Sequence, residues 1–359
     1  MSWSPRRSSG LRNRVRRWGL HRRRARRRHC EAAPQPMTPT ELPSTRFGRD
    51  GPQVTRLCQG TAFRTLQRDP SDRRATAVLH HSLDRGVRFF DSSNAYGWGG
   101  SERLLGAALR GRRDDVVICT KVSPSDPPAA DGTPGIHRPF TEAYLSEQLD
   151  GSRARLDTDV IDLYLLHSPD RVTPMAALCE AMQRLLDSGR IRHWGVSNHS
   201  AAQVEELCHI AGDEGLTPPM GVEDYYTIAG AALTDDGRSR TRQLENDMFP
   251  VLQSSGLGLL AFSPMDRGDL APGRRLDARS LLVGLLEAVD AVAAELSTSR
   301  GAVCVAWVLA QSAVSVVLGG AESPDHVDEM IDGVRFELPA ESLATLDAAS
   351  RSYSQEIEG

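Results

Sequence analysis

From about residue 46 onward, short runs of apolar and β-branched residues alternate with longer stretches whose apolar positions recur every three or four residues. The short runs are continuous enough to be strands buried on both faces, and the longer stretches have the period of amphipathic helices. Eight strand-like runs stand out, at 57–62, 87–91, 116–121, 161–166, 193–197, 221–225, 258–262 and 314–318. The first helix follows Ser71 and ends at Gly86, with Ala75, Val78, Leu79 and Leu83 on one face. Ser101-Glu102 opens a second and Thr141 a third; Thr173, with Pro174 at the first helical position, opens a fourth that stops at Gly189. Ser200 and Gln203 have the spacing of a capping box, and further helices are expected at 243–253, 280–296 and 301–311, after Ser323-Pro324, and at 340–350 before a short tail. Residues 46–56, centred on Gly48-Arg-Asp-Gly51-Pro52, read as a turn that leads into the first strand.

Strands alternating with helices through eight units predict a parallel α/β architecture, a closed (β/α)8 TIM barrel forming a single domain from 46 to 359. Chemistry in such barrels sits at the C-terminal ends of the strands. Two loops are long enough to shape an entrance there: 123–139, rich in Pro and Gly, and the polar segment 228–242. The short tail after Ser350 suggests that this entrance is open.

Composition adds a second region. Residues 1–30 carry twelve arginines and no acid, which leaves the rest of the chain with 31 basic against 47 acidic residues. Residues 1–40 lack core-forming periodicity and are expected to be a disordered basic extension. Three readings of that extension remain: translation from an upstream start with Met37 as the true one, a solvated tail, or an arm for nucleic acid or a membrane surface. The acidic remainder argues against a nucleic-acid groove, and no run approaches a membrane span. Six scattered cysteines, several inside apolar runs, suit free thiols in a reducing cytoplasm, and no ligand spacing for a metal is present.

Among 43 basic residues Lys121 is the single lysine, and it stands at the end of an apolar strand. A surface charge in this chain is an arginine; a compact ammonium able to act on a neighbour's acidity is what lysine alone supplies. Asp91 and His167 end two other strands, and Tyr96 follows in Asp91-Ser-Ser-Asn-Ala-Tyr96-Gly97. A phenol has an ordinary pKa of about 10, and an ammonium beside it favours release of the proton. Asp91 would neutralise the ammonium, and His167 would hydrogen-bond an incoming carbonyl oxygen. Such a site protonates an oxygen while hydride reaches its carbon.

Together with Leu166-His-x-Pro-Asp170, Gly195-Val-Ser-Asn198 and Phe262-Ser-Pro264, these motifs resemble the aldo-keto reductases, from about Arg46 to Glu329. The resemblance implies a TIM barrel that binds NADPH (or NADH) and reduces a small-molecule aldehyde or ketone, as a monomer or small homo-oligomer. It implies Tyr96 as general acid, supported by Lys121, Asp91 and His167. It also implies cofactor contacts: Gly60 and Thr61 from the first strand, Ser197 and Asn198 at the carboxamide, and Tyr226 stacked on the nicotinamide. Ser263, Met265 and Gly268 would border the pyrophosphate, with Gly320, Ala321, His326 and Glu329 at the adenosine end. Trp98 is a candidate pocket wall.

Three positions depart from the family. Glu223 stands where a glutamine is usual, and its negative charge beside the ring should favour the oxidised nicotinamide. Glu322, Asp325 and His326 replace the usual cation near the ribose 2′-phosphate, so NADH is expected to compete. Ala231 occupies a position where arginine is common. A regulatory, cofactor-sensing relative with little turnover is the alternative reading.

Overall fold

The structure, a computed structural model, describes residues 41–359 apart from 130, 231, 232, 236 and 274–279. The expected extension at 1–40, with Met37 in it, and the departure at Ala231 lie outside the described residues. Residues 39–359 form one compact unit.

Two short strands, β1 (Ser44–Arg46) and β2 (Gln53–Thr55), pair antiparallel ahead of the barrel. The barrel strands are β3 (Leu57–Gly60), β4 (Phe89–Asp91), β5 (Val117–Val122), β6 (Ile161–Leu166), β7 (Ile191–Ser197), β8 (Gly221–Tyr225), β9 (Gly258–Phe262) and β10 (Val316–Gly319). All pair in parallel, and β10 closes on β3. The eightfold closed barrel read from the chain is therefore the fold. Around it run α1 (Arg73–Asp84), α2 (Gly100–Ala108), α3 (Glu142–Leu156), α4 (Met175–Asp187) and α5 (Ala201–Glu214). Next, α6 (Arg240–Gln243) continues through a π turn at Leu244–Met248 into α7 (Phe249–Ser255). The set is completed by α8 (Leu282–Glu295), α9 (Arg300–Ala310), α10 (Pro324–Arg335) and α11 (Ala340–Glu358). No single helix among the described residues is long and apolar enough to cross a membrane. The five described cysteines are free, four of them buried.

Several element ends differ from the reading of the chain, each for a local reason. Helix α4 begins one residue later than expected, with Pro174 at the cap. The Thr173 hydroxyl is unavailable for capping because it donates to Asp170 Oδ2 and accepts from Phe140 N–H. The same Asp170 carboxylate accepts the Phe140 N–H, tying the loop after β5 to the loop after β6. That loop, expected to lack structure, folds back on itself through a bridge between Ser125 and His137. The tail after Ser350 is no tail: α11 runs on to Glu358, burying Ser350, Tyr353 and Ser354. Glu358 accepts the Ser239 N–H at 2.6 Å, and Ser350 Oγ donates to Ile228 O at 2.5 Å. The last helix therefore holds the loop between β8 and α6 at both ends.

The stretch read as a mere lead-in stoppers the lower end of the barrel. Phe47, 1% exposed, packs edge-on to Phe89 with ring centres 6.0 Å apart, and joins a core inside the barrel with Cys58, Cys119, Leu163 and Leu260. Glycines at 221 and 258 make room for its ring, since a Cβ at either position would lie 2.6 or 2.8 Å from it. Deleting a buried phenyl ring from such a position costs about 3–5 kcal/mol. Phe47→Ala is expected to lose stability in that range in urea titration, and an unchanged midpoint would show that the ring adds nothing to the core.

Candidate active site

Strand register brings the upper side chains together: Gly60 lies opposite Asp91, Asp91 opposite Cys119, and Ser197 opposite Glu223. Successive side chains alternate in direction, so Asp91 follows Phe89, Lys121 follows Cys119, and Glu223 follows Gly221 on the inner face. A polar layer thus sits directly above the apolar one.

Lys121 is at its centre and has no exposed surface. Its Nζ donates to Asp91 Oδ1 at 2.5 Å and to Ser92 O at 3.1 Å, lies 3.2 Å from Glu223 Oε1, and reaches the Tyr96 hydroxyl at 3.3 Å. Asp91, Cys119 and Glu223 all offer donor atoms within 4.8 Å of one another, and the cation that sits with the two carboxylates is this ammonium. The His167 ring stands edge-on to Tyr96 at 5.5 Å, with Nδ1 3.0 Å from Ser93 Oγ.

Burial dominates the acid–base character of the site. It works against the charged Lys121, yet Asp91 and Glu223 outweigh it and hold the ammonium well above its ordinary pKa. Burial also raises Tyr96, and Lys121 only partly opposes it. The expected net lowering of the phenol is therefore wrong: the ammonium offsets part of a desolvation penalty that still keeps the proton on oxygen. His167 is pushed down to about 3, by burial first and Lys121 second, and is neutral. Glu223 is pushed up to about 8 by burial and by Asp91. Burial and the neighbouring Asp91 thus work against the negative charge expected beside the nicotinamide, and Lys121 only partly opposes them.

Above this layer opens a cavity of about 570 Å³. Its lining includes Gly60, Asp91, Tyr96, His167, Ser197, Asn198, Glu223, Ser263, Met265, Gly268, Gly320, Ala321, His326 and Glu329. Four anticipated residues do not line it. Lys121 lies beneath Asp91 and Tyr96. Thr61 is fully buried, its hydroxyl donating to Asp91 O and paired with the Ser92 hydroxyl. Tyr226, expected on the nicotinamide, faces the helical layer instead, stacked on Trp307 at 5.5 Å and donating to Glu245. The two-residue period explains this, since 223 faces inward and 226 therefore points outward. Phe262, a ring not anticipated, does line the cavity. Trp98 is 39% exposed and away from the lining.

The chain also brings Arg64, Thr65 and Arg267, which the sequence reading left out of the site, to the end of the cavity where Glu322 lies. The Glu322 carboxylate accepts from the N–H groups of Arg64 and Thr65 and from the Thr65 hydroxyl, while Arg64 Nη1 donates to Arg267 O at 2.6 Å. Loops after β3, β9 and β10 are thereby tied across one end of the cavity. Burial works against Glu322's charge, but the Thr65 and Arg64 donors outweigh it and hold the carboxylate below its usual range. Arg64 and Arg267 line the same end.

The sequence matches the model of the Aldo/keto reductase family over residues 56–351. This chain belongs to the aldo/keto reductase family. It is similar to a probable voltage-gated potassium channel beta subunit of Oryza sativa subsp. japonica, 30% identical over 79% of this chain and 88% of that one. An uncharacterized oxidoreductase of Bacillus subtilis is 29% identical over 84% of this chain and 94% of its own length. Among solved structures, a thermostable aldo-keto reductase crystallised with the inhibitor epalrestat superposes with a TM-score of 0.69 at 25% identity, over 86% of this chain and all of that one.

Members of the family are NAD(P)-dependent oxidoreductases. The cavity of this aldo/keto reductase fits such a cofactor: its volume lies within the roughly 300–1,000 Å³ of small-molecule sites, polar side chains line one end and two arginines the other. The buried Glu223 Oε2 has no hydrogen-bond partner among the described residues. Because the folded carboxyl titrates near 8 and an ordinary one at 4.5, folding takes up a proton between those values. Stability is therefore lost as pH rises through that window. Glu223→Gln cannot titrate, so the wild-type urea midpoint is expected to fall relative to the variant's between pH 4.5 and about 8. Parallel midpoints would mean that Glu223 stays ionised throughout.

Proposed function

We propose that this aldo/keto reductase reduces an aldehyde or ketone to the alcohol, with Tyr96 as proton donor. The observation that carries this is the buried Lys121 ammonium, bonded to Asp91 and 3.3 Å from the Tyr96 hydroxyl at the floor of a cavity. A bound reduced nicotinamide supplies hydride to the carbonyl carbon. The Tyr96 hydroxyl meets the carbonyl oxygen as negative charge grows on it; the nearby ammonium then favours loss of the phenolic proton. Ser93 Oγ, which already accepts the Ala95 N–H, can donate to His167 Nδ1, which leaves the ring proton on Nε2 for the same oxygen. Neutral His167 orients the carbonyl without competing as an acid.

The cavity lining supports the remaining assignments. Ser197, Asn198 and Glu223 would hold the nicotinamide carboxamide, although Asn198 already spends its amide on His167 O and Ser197 Oγ. Phe262 takes the stacking role in place of Tyr226. Ser263, Met265, Gly268 and Arg267 would border the pyrophosphate, with Gly320, Ala321, His326 and Glu329 beyond them. With Glu322 ionised at that end, NADH and NADPH should bind within a hundredfold of each other. Free, mostly buried thiols support a cytoplasmic setting. The relative named as a channel beta subunit favours a second reading, a cofactor-binding sensor with slow turnover.

Two measurements separate these. Tyr96→Phe is expected to lower kcat/KM for a generic aldehyde by about 10²–10⁴-fold while leaving cofactor affinity near wild type; a wild type that binds cofactor but turns over no faster than this variant is a sensor. Fluorescence titration with both cofactors tests the second claim, and a preference for NADPH above a hundredfold would refute it.

A further inference from the structure

The polar layer holds one acid more than the reductase reading uses. Asp91 and Glu223 both contact a single ammonium, so with both carboxyls ionised the buried cluster would carry a net negative charge in a dry interior. Such a charge is costly unless compensated, and one proton removes it. Burial raises Asp91 as well, but three groups oppose it there: Lys121 Nζ at 2.5 Å, the Cys119 thiol and Glu223. Glu223 meets Lys121 through Oε1 and shares a side-chain hydrogen bond with Asp91, while its Oε2 is buried without a partner among the described residues.

We propose that Glu223 is a proton reservoir for Tyr96, returning through Lys121 the proton that the phenol hands to the substrate oxygen. The proposal rests on the reductase reading. The geometry is a short chain: Glu223 Oε1 to Lys121 Nζ at 3.2 Å, and Nζ to the Tyr96 hydroxyl at 3.3 Å. As hydride adds to the carbonyl carbon, the Tyr96 O–H bond breaks and a new O–H forms on the product. A Lys121 proton then moves to the phenolate, and the Glu223 proton moves to the resulting amine. Tyr96 and Lys121 are restored, Glu223 is left a carboxylate, and water in the cavity later reprotonates it. The other groups facing the cluster do not titrate near neutrality: the Cys58 and Cys119 thiols are held well above their usual range by burial, and His167 well below its own. Glu223 is a positioning and proton-holding residue here, not one that must touch substrate.

The test has two arms on the full chain. Infrared difference spectra of the cofactor-free protein at pH 7 are expected to show a protonated carboxyl band that disappears as pH rises past about 8 and is missing in Glu223→Gln. A band that persists in the variant would put the proton on Asp91 and overturn the proposal. In single turnovers followed with a pH-indicator dye, proton uptake from solvent should lag nicotinamide oxidation in wild type by about tenfold or more and coincide with it in Glu223→Gln; coincidence in wild type overturns it. If wild type shows no turnover at all, the reductase reading falls, and the infrared arm still decides where the proton resides.

Discussion

The molecule is arranged around the cost of keeping one ammonium out of water. Lys121 is wholly enclosed, and an isolated charge in that position would be strongly destabilising. Asp91, from the neighbouring strand, compensates it at 2.5 Å, and the Ser92 carbonyl accepts a second hydrogen bond from it. These contacts require β4 and β5 to be in register at their upper ends, with Asp91 opposite Cys119, two residues below Lys121. The position of the loop bearing Tyr96 and the acid–base character of the cavity floor are tied to that pairing.

The layer beneath it explains why the floor stays dry. Phe47, Phe89, Cys58 and Cys119 fill the lower barrel, so water reaches the cluster from the cavity side alone among these described contacts. Desolvation then overrides simple charge pairing. A tyrosine beside a lysine would be expected to ionise more easily, yet here the hydroxyl keeps its proton more firmly than in water. A donor of this kind can hydrogen-bond a neutral acceptor but yields its proton only as that oxygen gains electrons.

Much of this was legible in the chain. Strands at 161–166, 221–225 and 258–262 were bounded correctly; the last is an uninterrupted apolar run, whereas Asp162 and Glu223-Asp224 interrupt the other two. The single lysine beside 42 arginines marked the site because a compact buried cation is a role that arginine fills poorly. What escaped was set by contacts distant in sequence. Thr173 looked like a helix cap until Asp170 claimed its hydroxyl, and Glu223 looked anionic because no run of letters reveals that Asp91 lies against it. Arg64 is an unremarkable residue in a loop until Glu322, 258 positions later, accepts its N–H. Tyr226 was misjudged for a different reason: strand parity, readable from the letters, was overruled by resemblance.

The scarcity of lysine has a practical corollary. With Lys121 sealed at the bottom of the cavity, an acylating reagent finds no reactive side-chain amine on the described folded surface. Its ε-amine becomes available only when the barrel opens, so the rate at which that single position is tagged reports on global unfolding rather than on surface chemistry. Few proteins provide so clean an intrinsic clock, and in this one it is wound by the same ion pair that organises the fold.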